Sequence, residues 1–138
     1  MFDEIKKYEN SGHFFFKKGD ILSIASKEIP NLPGVYYIIK IAKERIELVY
    51  IGKSGTMRQD GNFGDQMLKR RINNKYDGVK RQQYFDQKLQ EEKIEALDIY
   101  WFVTYDEKHM DLPGYVEGLL LQRFFEVHGT LPPWNKEF

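Results

Sequence analysis

The alternation of apolar and polar positions divides the chain into short elements. The runs "GVYYIIKIA" and "RIELVYIG" are rich in β-branched and aromatic residues and meet around residues 42–44, which predicts one antiparallel hairpin. Its turn holds neither Gly nor Asn, the residues that most readily take the backbone of a tight hairpin. In "ALDIYWFVTY", residues 99–103 are unbroken in apolar character, as in a strand covered on both faces, so this strand is expected mid-sheet. Helical spacing predicts a helix over 66–76, capped by Asp65 with Leu68, Ile72 and Tyr76 inward, a second over 79–94, and a third over 115–127 stopped by Gly129. A shorter helix is expected from Asp20 as N-cap to about residue 28, after an aromatic cluster at residues 14–16 and before Pro30 and Pro33. The order strand, strand, helix, helix, strand, helix predicts an α/β (α+β) fold with a small, mainly antiparallel three-stranded sheet flanked by helices. Residues 1–30 read as an N-terminal appendage packing on a core of residues 31–138.

Composition narrows the chemistry. At 138 residues the chain is the size of one ordinary domain. Basic and acidic side chains balance at 21 each, which argues against coating of nucleic acid by bulk charge and requires a local patch for any phosphate binding. Lys53, Lys69, Arg70, Arg71, Lys75, Lys80 and Arg81 cluster in sequence and supply such a patch. With no cysteine, neither disulfides nor thiolate metal sites are available, and His13, His109 and His128 have no ligand spacing. The apolar runs are far shorter than a membrane span and the N-terminus has no secretion pattern, so a soluble, cytoplasmic protein with no membrane partner is expected.

Two glycine-flanked tyrosines, Gly34-Val35-Tyr36 and Tyr50-Ile51-Gly52, stand at the two ends of the predicted hairpin. Whether they share a face depends on parity. A turn centred on Lys43 makes opposite residue numbers add to 86 and sets Tyr36 facing Tyr50; a two-residue turn at Lys43 and Glu44 makes them add to 87 and throws Tyr50 to the other side. A shared tyrosine site requires an even sum.

The ordered set of those tyrosines, then "YIGKS", "LKRRI", "YVEGLLLQRFF" and "PPWN", resembles the GIY-YIG nuclease family over residues 32–135. The family includes excision-repair incision nucleases, homing endonucleases and some restriction enzymes, and its members cut phosphodiester bonds with one divalent cation. The resemblance implies a metal-dependent endonuclease using Mg²⁺ or Mn²⁺. It makes Tyr36 and Tyr50 the motif tyrosines, Lys53 the lysine after the second motif, Arg71 the helix arginine, Glu117 the metal-binding glutamate and Asn135 the late asparagine.

Each residue also has its own chemistry. A hard dication takes carboxylate oxygen and keeps several waters, so Glu117 with substrate phosphate is a sufficient site. Arg71 offers a planar fork matched to phosphate oxygens. A tyrosine beside positive charge can take a proton from water; Tyr36 is favoured as acceptor with Tyr50 as positioning group, and the reverse assignment stays open. Asn135 either orients a water or phosphate or caps the C-terminal turn. One helical turn after the arginine, where many members carry histidine or tyrosine, stands Lys75; either Lys75 supports the tyrosine, or Tyr76 reaches in from a shifted helix, or the site is weakened. Arg58, with Asn62 and Phe63 on the loop over 54–65, joins Lys69, Arg70, Lys75 and Tyr76 as a nucleic-acid contact, the other reading of that loop being a solvated insertion. The expected partner is nucleic acid, DNA favoured over RNA, with a homodimer or a partner protein supplying target recognition. The alternatives are a catalytically weak or inactive nucleic-acid-binding module of the same fold, or a protein-interaction domain.

Overall fold

The computed structural model describes residues 2–76 and 78–138. Its frame is a four-stranded antiparallel sheet of β1 (Ser11–Phe16), β2 (Gly34–Ala42), β3 (Arg45–Ser54) and β6 (Ala96–Val103), in the order β1-β6-β2-β3. The expected three-stranded sheet is therefore corrected to four strands, because the N-terminal aromatic cluster adds an edge strand to β6. The apolar run around Ile99 does lie mid-sheet, between β1 and β2. A two-stranded ribbon of β4 (Lys75–Tyr76) and β5 (Val79–Lys80) projects separately.

Two cores sit on the two faces. On one, Phe16, Tyr36, Ile38, Leu97, Ile99, Trp101 and Val103 pack under α1 (Leu22–Ala25), α2 (Leu68–Asn73) and α3 (Arg81–Glu91) through Leu22, Leu68, Ile72, Phe85 and Leu89. On the other, Val35 and Ile51 meet Val116, Leu120, Leu121 and Phe124 of α4 (Pro113–His128), with Ile5 and Tyr8 closing the side. Period-2 alternation in the strands separates these sets. Among the described residues, no helix is long and apolar enough to cross a membrane.

The helices keep their places but not all their lengths. α4 ends where expected, at Gly129 in the left-handed region at φ 72°. α2 stops at Asn73, and Asn74 turns extended to start the ribbon, so the helix expected over 66–76 becomes a helix of 6 residues followed by β4. Asp65 does not cap it; Met67 holds the N-cap position without a side-chain bond. The helix expected from Asp20 to about residue 28 shrinks to Leu22–Ala25, and the Asp20 carboxylate instead accepts a hydrogen bond from the Lys17 N–H at 3.0 Å.

The β2–β3 turn is the two-residue one, with Lys43 at φ 49° and Glu44 at φ 62°. Opposite residue numbers add to 87 from Ala42–Arg45 to Ile39–Leu48, which alone would part the tyrosines. A β-bulge between Ile38 and Ile39 then leaves Val49 as the extra residue, and the sum becomes 88 from Ile38–Tyr50 to Gly34–Ser54. The even sum is restored, and Tyr36 and Tyr50 lie diagonally on one face. Side chains at left-handed φ cost about 1 kcal/mol or more each. The double substitution Lys43→Asn with Glu44→Gly is therefore expected to stabilise the fold by about 1 kcal/mol. A higher urea midpoint would show it; an unchanged midpoint would refute the strain.

Candidate functional site

β3 is an edge strand, and the chain end runs along it. The Trp134 N–H donates to the Val49 carbonyl at 2.8 Å, and Asn135 pairs with Ile51 twice, accepting from its N–H at 3.0 Å and donating to its carbonyl at 2.9 Å. Asn135 thus behaves as a backbone mimic that closes the sheet edge. Its amide is spent there, so it fills neither role expected for it, orienting a water or phosphate or capping the C-terminal turn, and instead ties the tail to the edge of β3.

Where the two layers meet past this edge is a cleft of about 330 Å³ lined by Tyr50, Arg71, Tyr76, Glu117, Asn135 and Glu137, among others. Arg71 and Tyr76 come from the α2 layer and Glu117 from α4 on the opposite face. A smaller cleft of about 200 Å³ adjoins it, sharing Arg71 and adding Lys53, Asp65, Gln66 and the backbone around Gly55 and Gly64.

Glu117 is half-buried. Burial pushes its carboxyl above the usual carboxylate range, while Lys53 and Arg71 draw it back down. Among the described residues, neither base closes an ion pair with it; the Arg71 guanidinium donates only a long 3.4 Å bond to the Gln66 side chain. A carboxylate and two cations thus face each other across open space, an arrangement with room for a cation and a phosphate between them. Among the described residues, no group of three or more His, Cys, Asp or Glu side chains forms a metal cage. A divalent ion here would rest on Glu117, with Glu137 near, and otherwise on water and substrate oxygens.

The tyrosines form a front and a back row. Their ring centroids are 5.8 Å apart, yet Tyr50 lines the cleft while Tyr36 is fully buried behind it. Tyr36 thus has no direct path to water and meets the cleft through Tyr50, rather than as the water-facing acceptor expected. Burial pushes the Tyr50 phenol far above its ordinary range; the Tyr36 phenol adds to this and Arg81 opposes it. Gly52, opposite Tyr36, is where the rings lie: a Cβ there would sit 2.7 Å from Tyr36 Cζ and 2.7 Å from Tyr50 Cε2. The glycine of the second motif is thus a floor for the phenols.

Of the three expectations for the position one helical turn after Arg71, Tyr76 is the residue brought in, though from strand β4 rather than from a shifted helix. Its hydroxyl donates to the Trp134 carbonyl at 3.0 Å and its ring lies 5.5 Å from that of Tyr50. Lys75, the preceding residue on the ribbon, is exposed and does not line the cleft. Lys69 and Arg70 are exposed on α2 outside both clefts, which distinguishes Arg71 from its neighbour. Arg58 is exposed on the loop, which folds on itself through a Met57–Phe63 bridge and sets Phe63 4.8 Å from the Tyr105 ring.

Sequence reasoning placed Arg81 in a surface patch. It is buried instead, 2 % exposed, at the first residue of α3. Glu137 was missed altogether, since nothing in the sequence shows that the tail turns back into the cleft. Compared with known proteins, the chain matches no family, no curated protein and no solved structure.

Proposed function

We propose that the chain is a metal-dependent endonuclease of the GIY-YIG type, hydrolysing phosphodiester bonds, with DNA as the favoured substrate. The observation that carries this reading is the convergence of Tyr50, Arg71, Tyr76, Glu117 and Asn135 on one cleft, from elements spread across the chain, beside Lys53. Packing alone gives no reason to collect two phenols, a guanidinium with no ion pair among the described residues and a half-buried carboxylate. Glu117 would hold the cation, a fit supported by its partly desolvated carboxylate facing two bases. Bound there, a magnesium or manganese ion supplies Lewis-acid polarisation of the phosphoryl group. Arg71 clamps a non-bridging phosphate oxygen and offsets charge that builds as the bond breaks. Lys53 adds charge on the strand side, Tyr76 positions Tyr50 by ring contact, and Tyr50 takes the proton of the attacking water. Arg58, Lys69, Arg70 and Lys75 lie outside this chemistry and serve as backbone contacts for a longer substrate.

Nicking of supercoiled plasmid in the presence of magnesium tests the reading. Arg71→Ala is expected to lower the rate by about 10²–10³-fold with little change in melting, as when one transition-state donor is removed. An Arg71→Ala protein that nicks as well as wild type would refute the assignment. A second reading, nucleic acid held but not cut, is favoured by one observation: burial raises the Tyr50 phenol and opposes its service as a base. Salt-sensitive DNA binding with no cleavage at any pH would select it.

A further inference from the structure

Arg81 is buried, and among the described residues no acid pairs with it. Its Nη2 donates to the Tyr36 hydroxyl at 2.8 Å, and its guanidinium carbon lies 4.8 Å from the Tyr76 ring centroid, 5.5 Å from that of Tyr50 and 5.8 Å from that of Tyr36. Phe85 closes the fourth side at 6.0 Å. Among the described residues no carboxylate bridges to it, and its Nε has no hydrogen-bond partner. A buried cation is costly to keep, and aromatic faces compensate only in part. A leucine or methionine would fill the same space without that cost. The charge stands directly behind the two phenols that the cleft presents.

We propose that Arg81 is the positioning residue of the tyrosine pair, holding the Tyr36 hydroxyl from behind and keeping a fixed positive charge against which Tyr50 accepts a proton from water. The proposal rests on the nuclease reading for its chemistry but not for its test. With the Tyr36 oxygen occupied as an acceptor from Arg81, the pair has a set orientation. In the step itself, Tyr50 enters as the phenolate, its own proton having left to solvent through the cleft. The attacking water's O–H bond breaks, its proton goes to the Tyr50 oxygen and its oxygen forms the new P–O bond, while the bond to the leaving oxygen breaks, that oxygen keeping the electron pair and taking a proton from solvent in the cleft. The groups that face Tyr50 are Tyr36 from β2, Tyr76 from β4 and Arg81 from α3. Across the cleft stand Arg71 from α2, Glu117 from α4 and Lys136 with Glu137 from the tail. Of these, Arg81 is the buried fixed charge, so its removal is the change that solvent screens least.

The test compares wild type, Arg81→Met and Arg81→Lys, with folding followed by thermal melting. A ring-fluorinated tyrosine, more acidic than tyrosine itself, is placed at position 50 and its titration read by fluorine NMR without metal. The midpoint is expected to rise by about one pH unit or more in Arg81→Met and by less in Arg81→Lys, which keeps the charge but not the fork. In magnesium-dependent nicking, the acid limb of the pH–rate profile is expected to move upward by the same amount, about tenfold lost at fixed pH per unit. An unchanged fluorine titration in a folded Arg81→Met protein would overturn the proposal; should that variant not fold, an unchanged titration in a folded Arg81→Gln protein, with an unmoved pH profile, would do so. A wild type that never nicks would sink the nuclease reading and leave the NMR comparison to decide the role of Arg81.

Discussion

Glu117→Gln is expected to abolish metal-dependent nicking, by about 10³-fold or more, without destabilising the protein. The amide keeps the shape of the side chain but removes the negative charge, and among the described residues lining the cleft Glu137 is the one side-chain carboxylate left for a cation. Stability should respond in the opposite sense. The folded Glu117 carboxyl is held above its unfolded value, chiefly by burial against the pull of Lys53 and Arg71. The folded state therefore binds more protons across the interval between the two values, and stability conferred by the protonated group falls as pH rises through it. Above the interval the charged carboxylate is a burden that glutamine lacks. Melting at neutral pH should be equal or higher for Glu117→Gln, and the difference should vanish below the ordinary carboxylate range. Magnesium should raise the melting temperature of wild type but not of the variant, since an ion held by the folded state stabilises it by mass action. A Glu117→Gln protein that nicks at the wild-type rate, or gains the same magnesium stabilisation, would rule out this metal assignment.

The parts legible in the sequence are those whose signal is local. The run around Ile99 announces a strand covered on both sides, and Gly129 ends α4 because the backbone there needs a left-handed residue. The edge strand β1 was hidden because three consecutive phenylalanines erase the period-2 pattern; only burial separates Phe16, fully inside, from Phe15, 53 % exposed. The apolar spacing of Leu68, Ile72 and Tyr76 runs past the true end of α2, whose stop is signalled only by Asn73 and Asn74, poor helix interiors. Parity was undecidable for a different reason. Nothing in "ELVYIG" marks Val49 as an extra residue; the bulge coincides with the point where the tail bonds to the Val49 carbonyl, a long-range contact no local pattern carries. Arg81 was equally hidden. In "VKRQQ" it looks like any solvated cation, and its burial follows only from where α3 starts relative to three tyrosine rings.

The glycine of the second motif shows how tightly those rings are held. Gly52→Ala is expected to cost about 1–3 kcal/mol of stability and about 10²-fold in nicking. The added methyl carbon would stand 2.7 Å from Tyr36 Cζ, 2.7 Å from Tyr50 Cε2 and 2.8 Å from the Tyr36 hydroxyl oxygen. Something has to move, and neither ring is free to do so. Tyr36 is fully buried and bonded to Arg81, while Tyr50 is wedged between the Tyr36 and Tyr76 rings. Gly52 cannot retreat either, because β3 is bonded to β2 on one side and Ile51 is bonded to Asn135 on the other. The strain must therefore be shared by the phenol pair, the guanidinium behind it and the sheet edge in front, so stability and chemistry fall together. Gly64→Ala is the control, since a Cβ there meets its nearest atom at an ordinary 3.7 Å and its backbone φ is unremarkable for a side chain. It should leave the urea midpoint unchanged. Equal behaviour of the two alanine variants would mean that the rings can part from Gly52 at no cost, and the phenols would then not be held in the arrangement on which Tyr50 depends.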